Sequence, residues 1–153
     1  MKNLMILIPL LFSLSQLALA TPQEPDMLIY NNIVYVIHSC PLESYYINEK
    51  DRPIFRQAPN MLSNTGNTRG YVAHWEIESD TLYLRGVQTW VCNNQDKCER
   101  ADLKKLFGNK FVKGKVEAAW YSGELRLSDG YGSEYERDII LTVESGKIVK
   151  KKQ

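Results

Sequence analysis

Chemistry-bearing residues are scarce in this chain. Two histidines, His38 and His74, and three cysteines, Cys40, Cys92 and Cys98, supply all of its imidazole and thiol chemistry. There is no Cys-x-x-Cys spacing and no clustering of ligand residue types, so neither a metal nor any other cofactor is expected. A Gly-x-Ser-x-Gly elbow is missing, and Gly130-Tyr131-Gly132 lacks both the spacing and the following lysine of a phosphate-cradling loop. An excess of charge of one sign is missing too. The formal net charge is +1, and without Lys2 eighteen basic residues face eighteen acidic ones, which gives no electrostatic drive toward nucleic acid.

Long apolar runs are absent except at the N-terminus. Lys2 precedes an apolar stretch through Leu14, a polar break at Ser15 and Gln16, and small residues at Ala18 and Ala20. This is the layout of a secretory signal peptide cut after Ala20. The run falls short of the roughly 20 apolar residues of a membrane span, so no stable membrane insertion is expected after cleavage. With no cysteine just past the cut, a lipid anchor is not expected either. The expected organisation is a signal peptide at 1–20, a flexible lead at 21–26 and one β-rich domain at 27–153. Export brings the cysteines into an oxidising compartment, the periplasm or the cell exterior. Cys92 and Cys98 are the obvious pair, closing a polar loop tip for about 2 kcal/mol on the chain-entropy argument. Cys40 is then left unpaired, although its pairing with either of the others stays open.

What the chain does have is alternation. Tyr71, Ala73, Trp75 and Ile77 alternate with Val72, His74 and Glu76, and after a turn at Glu78-Ser79-Asp80, Leu82 and Leu84 alternate with Thr81, Tyr83 and Arg85. A period of two places one row in the core and leaves the other outside. Met27–Tyr30 and Ile33–His38 flank Asn31-Asn32, a hairpin signal because asparagine tolerates positive φ. Lys115–Tyr121 and Glu124–Leu127 flank Ser122-Gly123 and read as another hairpin; Tyr135–Val143 and Lys147–Lys150 flank a turn at Glu144-Ser145-Gly146. Asp102 is placed to cap a short helix over Leu103–Phe107 that stops at Gly108, whereas Gln57–Thr68 reads as a long loop. The expected fold is mainly β: a single antiparallel β-sheet, roll or partly open barrel with one short helix.

Several pieces together carry a resemblance: Leu28-Ile29-Tyr30, Pro41-Leu42-Glu43 with Tyr45 and Tyr46, Arg52-Pro53, Arg69-Gly70-Tyr71, Trp75-Glu76-Ile77, Leu82-Tyr83-Leu84, Trp120 through Arg126, and Tyr135 through Ile139. The chain from Leu28 to Val149 resembles a family of small uncharacterised bacterial exported proteins. That resemblance implies a single domain and a bacterial source but no activity.

For function, the sparse chemistry points away from catalysis. The expectation is an exported, non-catalytic binding protein of the envelope or periplasm, an inhibitor or immunity-type protein acting on a protein partner. Candidate binding residues are His74, Glu76, Tyr83 and Arg85 on the polar row, with Tyr121 among the tyrosines near turns. Two alternatives stand beside it. One is a hydrolase of an envelope polymer using His74 with Glu76, or a carboxylate pair drawn from Glu43, Glu76, Glu117, Glu124 and Asp138. The other is a small-ligand-binding sheet or barrel, which requires an interior cavity, a space that the bulky Trp75 and Trp120 are large enough to fill.

Overall fold

The computed structural model describes residues 23–48, 51–53, 66–92, 98–128 and 139–152, with the side chains at 90–92 and 98–99 excepted. It is mainly β, one sheet nearly closed into a barrel. In chain order the strands are β1 (Asp26–Tyr30), β2 (Ile33–Ile37), β3 (Tyr71–Glu78), β4 (Thr81–Cys92) and β5 (Cys98–Arg100). Helix α1 (Leu103–Phe107) follows, then β6 (Phe111–Val112), β7 (Lys115–Glu117), β8 (Gly123–Leu127), β9 (Ile139–Glu144) and β10 (Lys147–Lys152). The path around the sheet is β2-β1-β3-β4-β10-β9-β8. A lone bridge, Val36 to Ser128, joins the two ends through reciprocal backbone bonds of 3.0 and 3.1 Å.

Two-residue turns with positive φ shape the hairpins: Asn31-Asn32, Ser79-Asp80, Lys113-Gly114 and Ser145-Gly146. Such turns twist in the sense of the flanking strands, which is why they favour short connections. Asp102 caps α1 as its position implies, accepting from the Lys105 N–H at 3.1 Å.

One pairing departs from the antiparallel expectation. β1 runs parallel to β3, with Met27, Leu28 and Ile29 opposite His74, Trp75 and Glu76. Part of the expected lead at 21–26 lies among the described residues. Asp26 already belongs to β1, Glu24 N–H donates to the Gly66 carbonyl, and Gln23 Oε1 accepts from Thr68 N and Oγ1. The expected hairpin of Lys115–Tyr121 with Glu124–Leu127 does not form. β7 ends at Glu117 and pairs with β4 and β6, while β8 pairs with β9. The chain leaves the ladder because Tyr121 N–H turns back to the Ala118 carbonyl at 2.9 Å and Trp120 Nε1 donates to the Pro41 carbonyl at 2.9 Å.

β4 is the spine. Along one edge it meets β3, and along the other it meets β10 at Thr81, β7 at Tyr83 and Leu84, and β5 from Gln88 to Cys92. Its register slips by one between His74 and Trp75, leaving Arg85 as the extra residue of a bulge. Leu84 and Val87, three positions apart, both face the core only because of that extra residue. The interior is filled by Trp75, Tyr71, Leu28, Leu82, Leu84, Leu125 and Leu141, all at or below 1% exposure. Trp75 is among these buried side chains, whereas Trp120 is only half-buried.

Cys92 and Cys98 stand opposite each other in the β4–β5 register. No disulfide is present among the described residues, and both of these side chains lie outside them. Cys40 carries a free thiol. The expected signal peptide at 1–20, Tyr135 to Asp138 and most of the expected loop at 57–68 also lie outside the described residues.

Candidate functional site

The outer face of the barrel follows from strand register. Val34 lies opposite Ile29, Ile29 opposite Glu76, Glu76 opposite Tyr83, and Tyr83 opposite Glu117. Directly opposed residues share a face, so these five side chains form one row across β2, β1, β3, β4 and β7. Their inward neighbours Leu28, Trp75, Leu82 and Leu84 are buried. Val34 is 55% exposed and Ile29 41%. The two exposed aliphatic side chains are neighbours on the outer face, in facing positions of β1 and β2.

The other candidates take their places around this row. Arg85, released from the ladder by the bulge, reaches back to Glu76 with Nε 3.1 Å from Oε2. His74 lies on the same outward side, half-buried, one register step from Glu76 and beside the Gly86 of the bulge. Tyr83 carries the Lys115 ammonium 3.9 Å from its ring centre, and Lys115 also pairs with Glu78, holding that carboxyl below the usual carboxylate range. Tyr121 is elsewhere: it is buried, with its hydroxyl donating to the Glu124 carbonyl at 3.1 Å, and burial pushes its pKa up. The structure thus gathers His74, Glu76, Tyr83 and Arg85 on one face and removes Tyr121 from it. His74 and Glu76 lie on the outward side of β3, opposite in direction to the buried Ala73 and Trp75.

At the β7 end the row opens into a groove of about 610 Å³, lined by Tyr83, Lys110, Val112, Lys113, Lys115, Glu117, Ala119 and Trp120. Sequence reasoning missed Lys110, Val112 and Lys113. Their signal is Lys113-Gly114, a two-residue turn whose glycine follows the apolar pair Phe111-Val112.

A second cluster is internal. Asp26, fully buried, accepts from Arg69 Nη1 at 2.9 Å, Trp75 Nε1 at 3.0 Å and Ala73 N at 3.1 Å. Burial pushes the Asp26 carboxyl up while those three donors pull against it; beside it the Arg69 guanidinium is held charged. Arg69 lies 4.9 Å from the Tyr71 ring centre, the Tyr71 hydroxyl donates to Glu43, and Glu43 pairs with Arg52 at 3.0 Å. This network fastens Glu24 to Asp26, the turn at Glu43, Arg52 and Arg69 to one end of β3. Cys40 lies within the field of these charges, but burial pushes its thiol pKa up, the opposite of what a nucleophilic cysteine needs. Among the described residues no three His, Cys, Asp or Glu side chains group closely enough to hold a metal ion. None of their helices is long and apolar enough to cross a membrane.

The fold and its outer row define a small, nearly closed β-barrel with apolar and charged groups along one row of its outer face. Set against protein-family models, curated proteins and solved structures, the chain matches none.

Proposed function

We propose that this is an exported, non-catalytic binding protein that acts by covering a protein partner with the outer face of its barrel. The observation that carries the reading is the row Val34–Ile29–Glu76–Tyr83–Glu117, in which exposed aliphatic groups adjoin an aromatic ring and the Glu76–Arg85 pair. Apolar anchors beside a tyrosine, rimmed by charge, are the composition of protein-docking surfaces. Export to the periplasm or cell exterior, membership of the bacterial family that the sequence resembles, and a Cys92–Cys98 disulfide belong to the same proposal. Opposed Cα atoms in an antiparallel pair stand roughly 4.5–5.5 Å apart, within the span of a disulfide.

The test is site-specific photocrosslinking in periplasmic extract with a crosslinker at Ile29, at Tyr83 and, as a control, at the exposed Lys105 of α1. One partner crosslinked from both row positions and not from Lys105, and lost on Val34→Glu, is the expected result. Crosslinks from Lys105 alone, or none from the row, overturn it.

A further inference from the structure

The groove beside Trp120 carries an inference beyond the docking of a protein on the outer row. Its charges do not balance. Glu117 is paired with Lys147 at 2.8 Å, and Lys115 with Glu78. Lys110 meets the Tyr45 hydroxyl at 3.2 Å and the face of that ring, and no carboxylate among the described residues pairs with Lys110 or Lys113. Among the described residues, then, two ammonium groups stand at the groove without a paired carboxylate.

Its apolar side is built and rigid. Trp120 spends its N–H on the Pro41 carbonyl, stacks on Phe107 at 5.8 Å and meets Tyr45 edge-on at 4.7 Å, so the groove receives the carbon surface of a fixed indole. Val112, 57% exposed, adds an aliphatic wall. The volume falls inside the roughly 300–1,000 Å³ of small-molecule sites. No arginine lines the groove, so the bidentate fork that grips phosphate is missing and the lysines act as point charges.

We propose that this groove binds a small amphiphilic carboxylate, an aliphatic or aromatic body ending in one acid group. The body lies against Trp120 and Val112, and the acid sits between Lys110 and Lys113. Tyr83 and Glu117 are shared with the outer row, so a bound acid borders the protein-docking face without requiring it.

The probe is anilinonaphthalene sulfonate, whose sulfonate stands in for the carboxylate, added to the folded full chain. Fluorescence should rise saturably and be displaced by sodium laurate, with neutral dodecanol competing about tenfold more weakly, as two partly exposed charge contacts imply. The double variant Lys110→Gln/Lys113→Gln should weaken probe and laurate about tenfold, with an unchanged melting curve and unchanged dodecanol competition. Val112→Glu, on an exposed position, should abolish displacement by laurate. Absence of saturable binding overturns the proposal, as does equal competition by laurate and dodecanol, or full binding by the double variant. Sedimentation with phosphatidylglycerol vesicles that is lost in the double variant, with no binding of free laurate, overturns it in favour of a membrane surface. Photocrosslinking from Ile29 reports separately on the protein-docking reading.

Discussion

Asp26 shows how one side chain can join two distant stretches of chain, the start of β1 and Arg69 to Trp75. Removing its carboxylate leaves the Arg69 guanidinium, the Trp75 indole N–H and the Ala73 amide without their acceptor. Asp26→Ala should therefore cost about 3–5 kcal/mol, the range for breaking a buried ion pair from one side. Trp75→Phe, which loses one donor and some volume, should cost less, and urea denaturation of both variants checks the order. The tyrosines set the alkaline limit. Tyr46 is pushed up to about 12, first by burial, and burial also raises Tyr71 and Tyr121, with the hydrogen bond to Glu43 adding to the rise of Tyr71. A folded pKa above the ordinary tyrosine value of about 10 means stability that is complete below that pH and lost as pH rises through the folded values. Melting temperature should fall from about pH 10 upward, with phenolate absorbance appearing together with unfolding. Ionisation of Tyr46, Tyr71 and Tyr121 at the ordinary tyrosine value with the fold intact would contradict this. None of the Asp26 network was legible beforehand, because its members are separated by up to forty-nine residues and nothing local marks Asp26 as buried.

At the scale of the element, local chemistry was the legible part. Asn31-Asn32 announced its hairpin through the conformational tolerance of asparagine, and Asp102 and Gly108 bracketed a helix of one turn and a half. The polar row of β3 and β4 was legible because alternation fixes faces whatever the partner strand. What failed was Lys115–Tyr121, whose alternation continues to Tyr121 while the strand stops at Glu117; a pattern of two cannot see that Leu82 accepts the Ala118 N–H instead. The turn between β9 and β10 is held at the same place. Gly146 N–H donates to the Tyr121 carbonyl and its carbonyl accepts from Leu82 N–H, both at 2.8 Å. A Cβ there would stand 2.8 Å from the Ala118 carbonyl oxygen, at a φ of +80° that favours glycine. Gly146→Ala should cost about 2 kcal/mol or more through strain and a lost seam contact, against almost nothing for Gly114→Ala beyond its own turn strain. Thermal melts of the two variants compare a crowded and an open glycine with the same φ. In β4 and β5, intact mass of the oxidised protein with and without alkylation should show one bridge and one free thiol, and reduction should lower stability by about 2 kcal/mol. A bridge that includes Cys40 would contradict the register.

Over the whole molecule the barrel has one strong region and two thin seams. β3 and β4 pair along eight positions, whereas β4 meets β10 at Thr81–Lys147 alone in register and β2 meets β8 at a single bridge. Amide exchange should rank them accordingly: Ala73, Trp75 and Leu84 protected to the global limit, Val36 and Ser128 exchanging through a smaller opening. Equal protection of seam and spine would mean that the barrel opens only as a unit. The parallel contact of β1 with β3 has a consequence in time as well as in space. Synthesis runs from the N-terminus, so the strand made first must wait for an inner neighbour that does not yet exist. The hairpin of β1 and β2, carrying Leu28, Ile29, Val34 and Ile37, has nowhere to bury its inner face until Tyr71–Glu78 has emerged. During that interval the same apolar side chains that later fill the core and line the outer row are open to any holding factor that meets the growing chain.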